Sequence, residues 1–406
     1  MEIKTVGGGI CAPKGFRAAA VHCGIRNNAE KKDLTMIVSD RICDAAAVYT
    51  KNKVKGAPIE VTRDNLTDGK AMAVICNSGN ANTCAPGGKE LARQTCSIAA
   101  KCLKCRHEDI IVASTGVIGE KISLKPFEKG VPEICENLSR KNSPDAAEGI
   151  MTTDTVPKEM AVKFMASGKE CFMGGIAKGS GMIHPDMATM LCFITSDADI
   201  SSKMLSAALK EDVKNSFNQI SVDGDTSTND MVAVMANGMA GNKRICCGSR
   251  DYEAFAEALH KVTEELAKKM AADGEGAGKL IEVLVKGAPD KETARRISRS
   301  VVASNLFKAA CFGQDANWGR IICAIGYAPG DFRTDKVDIS IISNAGEIKV
   351  CRSSAACGFD EEKAAKILSE KEIKVRVDIN QGMAEAKAWG CDLTHDYVTI
   401  NGDKRT

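Results

Sequence analysis

The sequence predicts an α+β protein. Three observations carry the prediction: apolar residues recur at spacings of three and four across 251–273, apolar and polar residues alternate at period two late in the chain, and the two patterns interleave without a fixed-length repeat. Layers of helix and sheet satisfy that mixture better than a barrel or a solenoid.

Short apolar runs at Met36-Ile37-Val38, Ala71-Met72-Ala73-Val74-Ile75 and Ile110-Ile111-Val112-Ala113 alternate with Gly- and Asn-rich connections, a strand-and-loop pattern. A helix is expected over 91–103. The run Met187-Ala188-Thr189-Met190-Leu191-Cys192-Phe193-Ile194 reads as a core strand. Across 251–273, Phe255, Leu259, Val262, Leu266 and Met270 share one face, Glu and Lys fill the other, and Gly274 follows as a stop, which defines an amphipathic helix. Leu280-Ile281-Glu282-Val283-Leu284-Val285 is a strand ending at Gly287-Ala288-Pro289, and a second helix is expected over 291–310. Val337, Ile339 and Ile341, then Ile373, Val375, Val377 and Ile379, alternate with polar residues as half-buried strands. Domain boundaries are expected near 190 and 280.

A chain of 406 residues has room for two or three domains and a sizeable core. Its 55 Lys+Arg and 53 Asp+Glu leave a net charge of +2, so no overall field recruits nucleic acid or an acidic membrane, and a small substrate is expected. The 18 cysteines scatter through apolar segments such as Val74-Ile75-Cys76, which reads as buried free thiols in a reducing cytosol. The first residues carry neither a signal-peptide nor a presequence pattern, and no apolar run approaches the roughly 18 residues of a membrane span. A cytoplasmic protein is expected.

The segment Lys178-Gly179-Ser180-Gly181-Met182-Ile183-His184-Pro185-Asp186-Met187-Ala188-Thr189-Met190-Leu191 is the most informative. By period and composition alone, Thr189 is a satisfied hydroxyl in a core strand. Its chemistry allows another reading: a threonine hydroxyl becomes a nucleophile beside a base, and the free α-amine of an N-terminal threonine, with an ordinary pKa of about 7.7–8.0, is such a base. Releasing that amine requires cutting the Ala188-Thr189 bond. Thr115-Gly116 follows an apolar run, where a glycine turn at a strand end is the ordinary reading.

Other patterns lead nowhere. Gly274-Glu275-Gly276-Ala277-Gly278-Lys279-Leu280 has too few residues between its glycines for a phosphate-binding loop, and Leu280 replaces the metal-binding Ser/Thr. Asp223-Gly224-Asp225-Thr226-Ser227-Thr228 lacks the sixth-position Gly and terminal Glu of a calcium loop, and is better read as a loop near the site. Cys102-Leu103-Lys104-Cys105 has no second ligand pair. His22, His107, His184, His260 and His395 form no triad in sequence. No metal site is expected.

Together with the Lys178–Leu191 segment, seven others occur in a recognisable order: Gly9-Ile10-Cys11-Ala12-Pro13-Lys14-Gly15-Phe16, Asn77-Ser78-Gly79-Asn80-Ala81-Asn82, Ser114-Thr115-Gly116-Val117-Ile118-Gly119, Met151-Thr152-Thr153-Asp154-Thr155, Val222-Asp223-Gly224-Asp225-Thr226-Ser227-Thr228-Asn229-Asp230, Asp273-Gly274-Glu275-Gly276-Ala277 and Asn317-Trp318-Gly319-Arg320. In these the chain resembles the ornithine acetyltransferase family, the bifunctional glutamate N-acetyltransferases of arginine biosynthesis.

The resemblance implies a four-layer α/β/β/α sandwich with a smaller C-terminal α/β domain, in a self-cleaving N-terminal-threonine enzyme. Cleavage between Ala188 and Thr189 would give an α chain, 1–188, and a β chain whose first part, 189–280, carries the nucleophile strand and whose remainder, 281–406, is the C-terminal domain. Thr189 would be the nucleophile, Thr115 and Gly116 the oxyanion hole, and Thr152, Lys178, Thr189, Glu275, Asn401 and Thr406 the substrate contacts. By charge, Lys178 suits a substrate carboxylate and Glu275 an ammonium. The reaction implied moves acetyl from N2-acetyl-L-ornithine to L-glutamate through an acetyl-threonine ester in an α2β2 heterotetramer. It needs no cofactor, and acetyl-CoA is left open as a second donor. Two positions depart from the pattern, Gly278 where the family usually has Thr and Lys404 where it often has an aromatic residue. They bear on substrate preference. A self-cleaving amidase or aminopeptidase, and an uncleaved relative that only binds acylated amino acids, remain alternatives at this point.

Overall fold

A computed structural model describes residues 2–184 and 190–403. Among these, nine strands form one mixed sheet in the order Lys4–Val6, Lys158–Ala166, Lys169–Lys178, Leu191–Ser196, Met231–Ala236, Leu34–Tyr49, Lys70–Asn77 and Ile110–Ser114, with Phe16–Val21 also paired to Leu34–Tyr49. A second mixed sheet runs Ala355–Ala356, Gly346–Arg352, Asp338–Ser343, Glu372–Asp378, Leu280–Ala288, Ala384–Cys391 and Ile220–Ser221. Sheets of both senses combined with helices make the α+β expectation good.

Period two distributes the side chains of the first sheet. On Met231–Ala236, Met231, Ala233 and Met235 face a core shared with Ile37, Val74, Ile111 and Phe193. Their neighbours Val232, Val234 and Ala236 face another core, against the helix Arg250–Ala272. On Lys70–Asn77, Val74 and Cys76 join the first core, while Ala73 and Ile75 join a third, under the helices Gly88–Leu103 and Lys125–Asn137. The 16-residue strand Leu34–Tyr49 contributes to all three cores. It turns from one to the next where its register with Lys70–Asn77 shifts, between Val38 and Cys43, and there Asp40, Arg41 and Ile42 are exposed.

The helix expected over 251–273 is Arg250–Ala272. Ser249 opens it by accepting a hydrogen bond from the Tyr252 amide at 3.1 Å, and Phe255, Leu259, Val262, Leu266 and Met270 are fully buried. The helix expected over 91–103 is Gly88–Leu103. The helix expected over 291–310 is instead two, Lys291–Ala303 and Asn305–Phe312. Ser304 divides them: its backbone is extended at ψ 108°, and its hydroxyl accepts the Phe307 amide at 3.3 Å, starting a new helix where the apolar pattern runs on unbroken. Of the core strand expected over 187–194, the described part is Leu191–Ser196.

All 18 cysteines are free thiols; ten are buried, whereas Cys84, Cys246, Cys247 and Cys323 are exposed. No helix among the described residues is long and apolar enough to cross a membrane. Asn77 and Ser114 lie beside the Leu34 end of the bent strand Leu34–Tyr49, and Lys178, Leu191 and Met231 beside its Tyr49 end. The Asn229 side chain, next to Met231, donates to the Ser114 carbonyl, so the two groups of strand ends meet at one rim, which holds the cavity described next.

Candidate active site

A cavity of about 400 Å³ opens at the rim. Six of the residues that the motif resemblance singles out line it: Thr115, Gly116, Thr152, Lys178, Glu275 and Asn401. They come from five separate stretches of chain. Ala188, Thr189 and Thr406 lie outside the described residues, but Met190 and Leu191, which directly follow Thr189, are in the cavity wall.

Thr115 and Gly116 leave the strand Ile110–Ser114 and are locked against the loop that leaves its neighbour. The Asn77 carbonyl accepts the Thr115 amide at 2.9 Å, and the Asn77 side chain donates to the Ser114 hydroxyl at 2.6 Å and accepts the Gly79 and Asn80 amides at 3.2 and 3.0 Å. Gly116 has φ +128°, and a Cβ there would stand 2.5 Å from the Gly79 carbonyl carbon. Only glycine fits. Asn229 fastens the loop from the other side, donating to the Ala81 and Ser114 carbonyls at 2.6 and 2.9 Å.

Lys178 is buried and donates to the Thr115 hydroxyl oxygen at 3.3 Å. With that lone pair engaged, the Thr115 proton is free to point at a ligand. Burial pushes the Lys178 ammonium below the ordinary lysine range, and Asp154 opposes the shift. Behind it, the fully buried Lys158 bridges Asp154 at 2.7 Å and Asp273 at 2.5 Å. Asp154 also accepts the Gly179 amide at 2.7 Å and the Thr152 amide at 3.0 Å, so one carboxylate fixes two walls of the cavity. Burial would raise its pKa, but the fields of Lys178 and Lys158 and these hydrogen bonds win and bring it down to about 2. Because the folded value is depressed, this stabilisation is complete above the ordinary carboxylate pKa near 4 and is lost as the pH falls toward 2. Asp154→Asn leaves Lys158 short of a charge and is expected to cost about 3 kcal/mol, read as a lower denaturation midpoint.

The stretch leading to residue 188 is held by Asp223, which accepts the Met182 and Ile183 amides at 2.6 and 2.8 Å. Opposite, the Glu275 carboxylate accepts from the Asn401 amide at 2.8 Å, and the helix His395–Gly402 that carries Asn401 is tied down by Thr394 donating to the Gly276 carbonyl at 2.6 Å. Gly181 permits the approach, since a Cβ there would stand 2.4 Å from the Glu275 carboxylate. The cavity thus sets a cation and hydroxyl donors on one side and a carboxylate on the other.

A model of the ArgJ family matches residues 17–406. The chain belongs to the ArgJ family. The motifs and the whole-chain comparison agree on this. The protein named arginine biosynthesis bifunctional protein ArgJ in Symbiobacterium thermophilum is 49% identical over 401 residues, 98% of this chain and 99% of its own length. The protein of that name in Caldanaerobacter subterraneus is 48% identical over 407 residues and covers both chains fully. A solved structure titled arginine biosynthesis bifunctional protein from Bacillus halodurans is 46% identical with a TM-score of 0.50, and the match spans 52% of this chain and 98% of that one.

Among the ArgJ-type motifs, not all are at the cavity. The stretches around 77–82, 114–119, 151–155, 222–230 and 273–277 supply its walls, as does the Lys178–Leu191 segment. The other two are structural. Ile10 and its neighbours are buried, with the Ile10 carbonyl accepting the Thr195 hydroxyl at 2.6 Å, and Asn317 caps the helix Trp318–Gly326 by accepting the Arg320 amide at 3.2 Å. The calcium-like loop at 223–228 does reach the site, through Ser227 and Thr228. Sequence reasoning missed Arg26, which lines the cavity and whose guanidinium joins the Ser78 and Met151 carbonyls, and it gave no individual role to Asp154, Asp223, Asn229 or Asp230. The last four stand inside quoted motifs; for Arg26 the sequence carries no signal.

Proposed function

We propose that this chain transfers acetyl from N2-acetyl-L-ornithine to L-glutamate in arginine biosynthesis, through an ester on Thr189 formed after the chain cuts itself between Ala188 and Thr189. The convergence of Thr115, Gly116, Thr152, Lys178, Glu275 and Asn401 on one cavity, whose wall continues into Met190, carries the proposal. The Thr189 hydroxyl attacks the acetyl carbonyl, its α-amine takes the proton and passes it to the departing ornithine amine, and the Thr115 hydroxyl and Gly116 amide receive the negative oxygen. Glutamate then attacks the ester. Cleavage uses the same hydroxyl: it attacks the Ala188 carbonyl, shifts the acyl group from N to O, and water opens the ester.

Two further observations support this reading. The solved relative's chain is covered at 98% yet spans only 52% of this one, a length close to that of a 189–406 fragment, 218 of 406 residues. The partition of the first sheet's side chains, with one core between its two halves and one outside each half under helices, supports the four-layer α/β/β/α order. Acetyl-CoA as a second donor to glutamate belongs to the same proposal, and the bifunctional naming of the relatives leaves room for a second activity of that kind. An α2β2 assembly in the cytoplasm completes the proposal.

Mass spectrometry of the purified protein, together with glutamate-dependent release of ornithine, tests it. Two fragments and glutamate-dependent release are expected; one species at 43.1 kDa, or acetate in place of acetylglutamate, would overturn it. Glu275→Gln keeps the hydrogen bond to Asn401 but loses the charge for the ornithine ammonium. KM for N2-acetylornithine is expected to rise on the order of tenfold to a hundredfold, with kcat changing less, in steady-state kinetics.

A further inference from the structure

Arg26 stands in the wall of the cavity, and the reaction above gives it no task. Its place is fixed by Asp33, a fully buried carboxylate that accepts the Cys23, Gly24, Ile25 and Arg26 amides at 2.7, 3.2, 2.7 and 2.9 Å. The loop that carries Arg26 is thus wrapped around one side chain. The Asp33 carbonyl also accepts the Ser78 amide at 3.0 Å, which ties this loop to the neighbouring wall of the cavity.

The guanidinium spans two stretches of that wall. Nε donates to the Ser78 carbonyl at 2.8 Å, and Nη2 donates to the Ser78 and Met151 carbonyls; Thr152, one of the expected substrate contacts, follows Met151 directly. Both partners are neutral. The carboxylates whose charge reaches Arg26 are Asp33 and Asp154, and each is engaged elsewhere, Asp33 with its four amides and Asp154 with Lys158 and the Gly179 and Thr152 amides. Nη1 has no partner among the described residues and is not buried. Burial pulls the pKa of the guanidinium down against the fields of Asp33 and Asp154, as it does for a cation short of a counter-ion. Such a cation gains most from an anion that a ligand brings.

The two amino acids of the proposed reaction differ at one end. Both present an α-nitrogen to the acetyl group and an α-carboxylate beside it, which Lys178 suits, but the side chain of ornithine ends in an ammonium and that of glutamate in a carboxylate. Glu275 attracts the first and repels the second. We infer that Arg26 receives the side-chain carboxylate of glutamate at Nη1, so that one cavity serves a cationic side chain at Glu275 and an anionic one at Arg26 in alternate halves of the cycle. This rests on the acetyl-transfer reading above. Lys31 also lines the cavity, but it is exposed, where a flexible ammonium holds a carboxylate weakly.

Acceptor choice tests this, measured as the ratio of kcat/KM for glutamate to kcat/KM for glutamine, which has the shape of glutamate without the charge. Both acceptors meet the same acetyl-enzyme, so a general loss of activity cancels from the ratio. In Arg26→Gln the ratio is expected to fall on the order of tenfold to a hundredfold, because a charge-assisted contact is lost. In Lys31→Gln it is expected to stay within about twofold. Equal losses with both acceptors in Arg26→Gln would reduce the residue to a brace between two carbonyls and overturn the inference, as would a fall of the same size in Lys31→Gln. Should Arg26→Gln fail to fold, Arg26→Lys decides. Its ammonium keeps the charge but lacks the fork that holds both carbonyls and a ligand at once, so the ratio is expected to fall at least about threefold, and an unmoved ratio overturns the inference equally. An unaltered chain that stays whole or makes no acetylglutamate would sink the acetyl-transfer reading itself, an outcome visible before any variant is made.

Discussion

Thr189→Ala is expected to yield a single polypeptide of 43.1 kDa that transfers no acetyl group. Alanine has no Oγ, so neither the shift of the Ala188 acyl group nor an acetyl ester can form. The fold should survive, because the cavity is held by contacts that do not involve residue 189: Lys178 on Thr115, Asp223 on the Met182 and Ile183 amides, and Asn229 on the Ala81 and Ser114 carbonyls. Intact mass, an unchanged melting transition and the absence of glutamate-dependent ornithine release are the measurements. Transfer by the variant would place the nucleophile elsewhere.

The second large effect belongs to Gly116→Ala. An alanine at φ +128° is strained before any contact is counted, and its Cβ would meet backbone, 2.5 Å from the Gly79 carbonyl carbon and 2.7 Å from the Asn80 nitrogen. Neither neighbour can rotate away as a side chain could, so the loop itself must move and carry the Gly116 amide with it. Displacing an oxyanion donor typically costs 10²–10³ in rate, and a loss on the order of 10³ in kcat is expected here because the Thr115 hydroxyl is carried off too. The Ala188-Thr189 cut should slow in parallel, since its tetrahedral intermediate would use the same donors. Time courses of fragment appearance and single-turnover kinetics would show both.

What the sequence revealed of the fold depended on how regular each pattern was. Arg250–Ala272 was legible because five apolar residues at helical spacing are all fully buried. Leu34–Tyr49 was legible only at Met36-Ile37-Val38, because Asp40, Arg41 and Ile42 lie at the bend and break the alternation. His395–Gly402 left no trace in the pattern: none of its residues is buried, so no apolar stripe marks it. Ser304 is ambiguous in the sequence, since a serine within an apolar periodicity can sit in a helix or begin one, and the choice lies in the hydrogen bond its hydroxyl accepts from the Phe307 amide. The site was legible as motifs but not as mechanics. That Lys178 reaches Thr115, or that Asp154 serves Gly179 and Thr152 together, follows from strand ends brought side by side, which no local spacing encodes.

The order of strands in the first sheet has a consequence for how such a protein can be made. Leu191–Ser196 and Met231–Ala236 are threaded into the sheet's middle, zipped to Lys169–Lys178 on one flank and to Leu34–Tyr49 on the other. A chain severed after 188 would therefore consist of two pieces that share one interior, each leaving the other with two raw sheet edges if removed. Two pieces made separately would have to close both seams at once, whereas one polypeptide closes them while its strands are still tethered, so this strand order favours a cut made after folding.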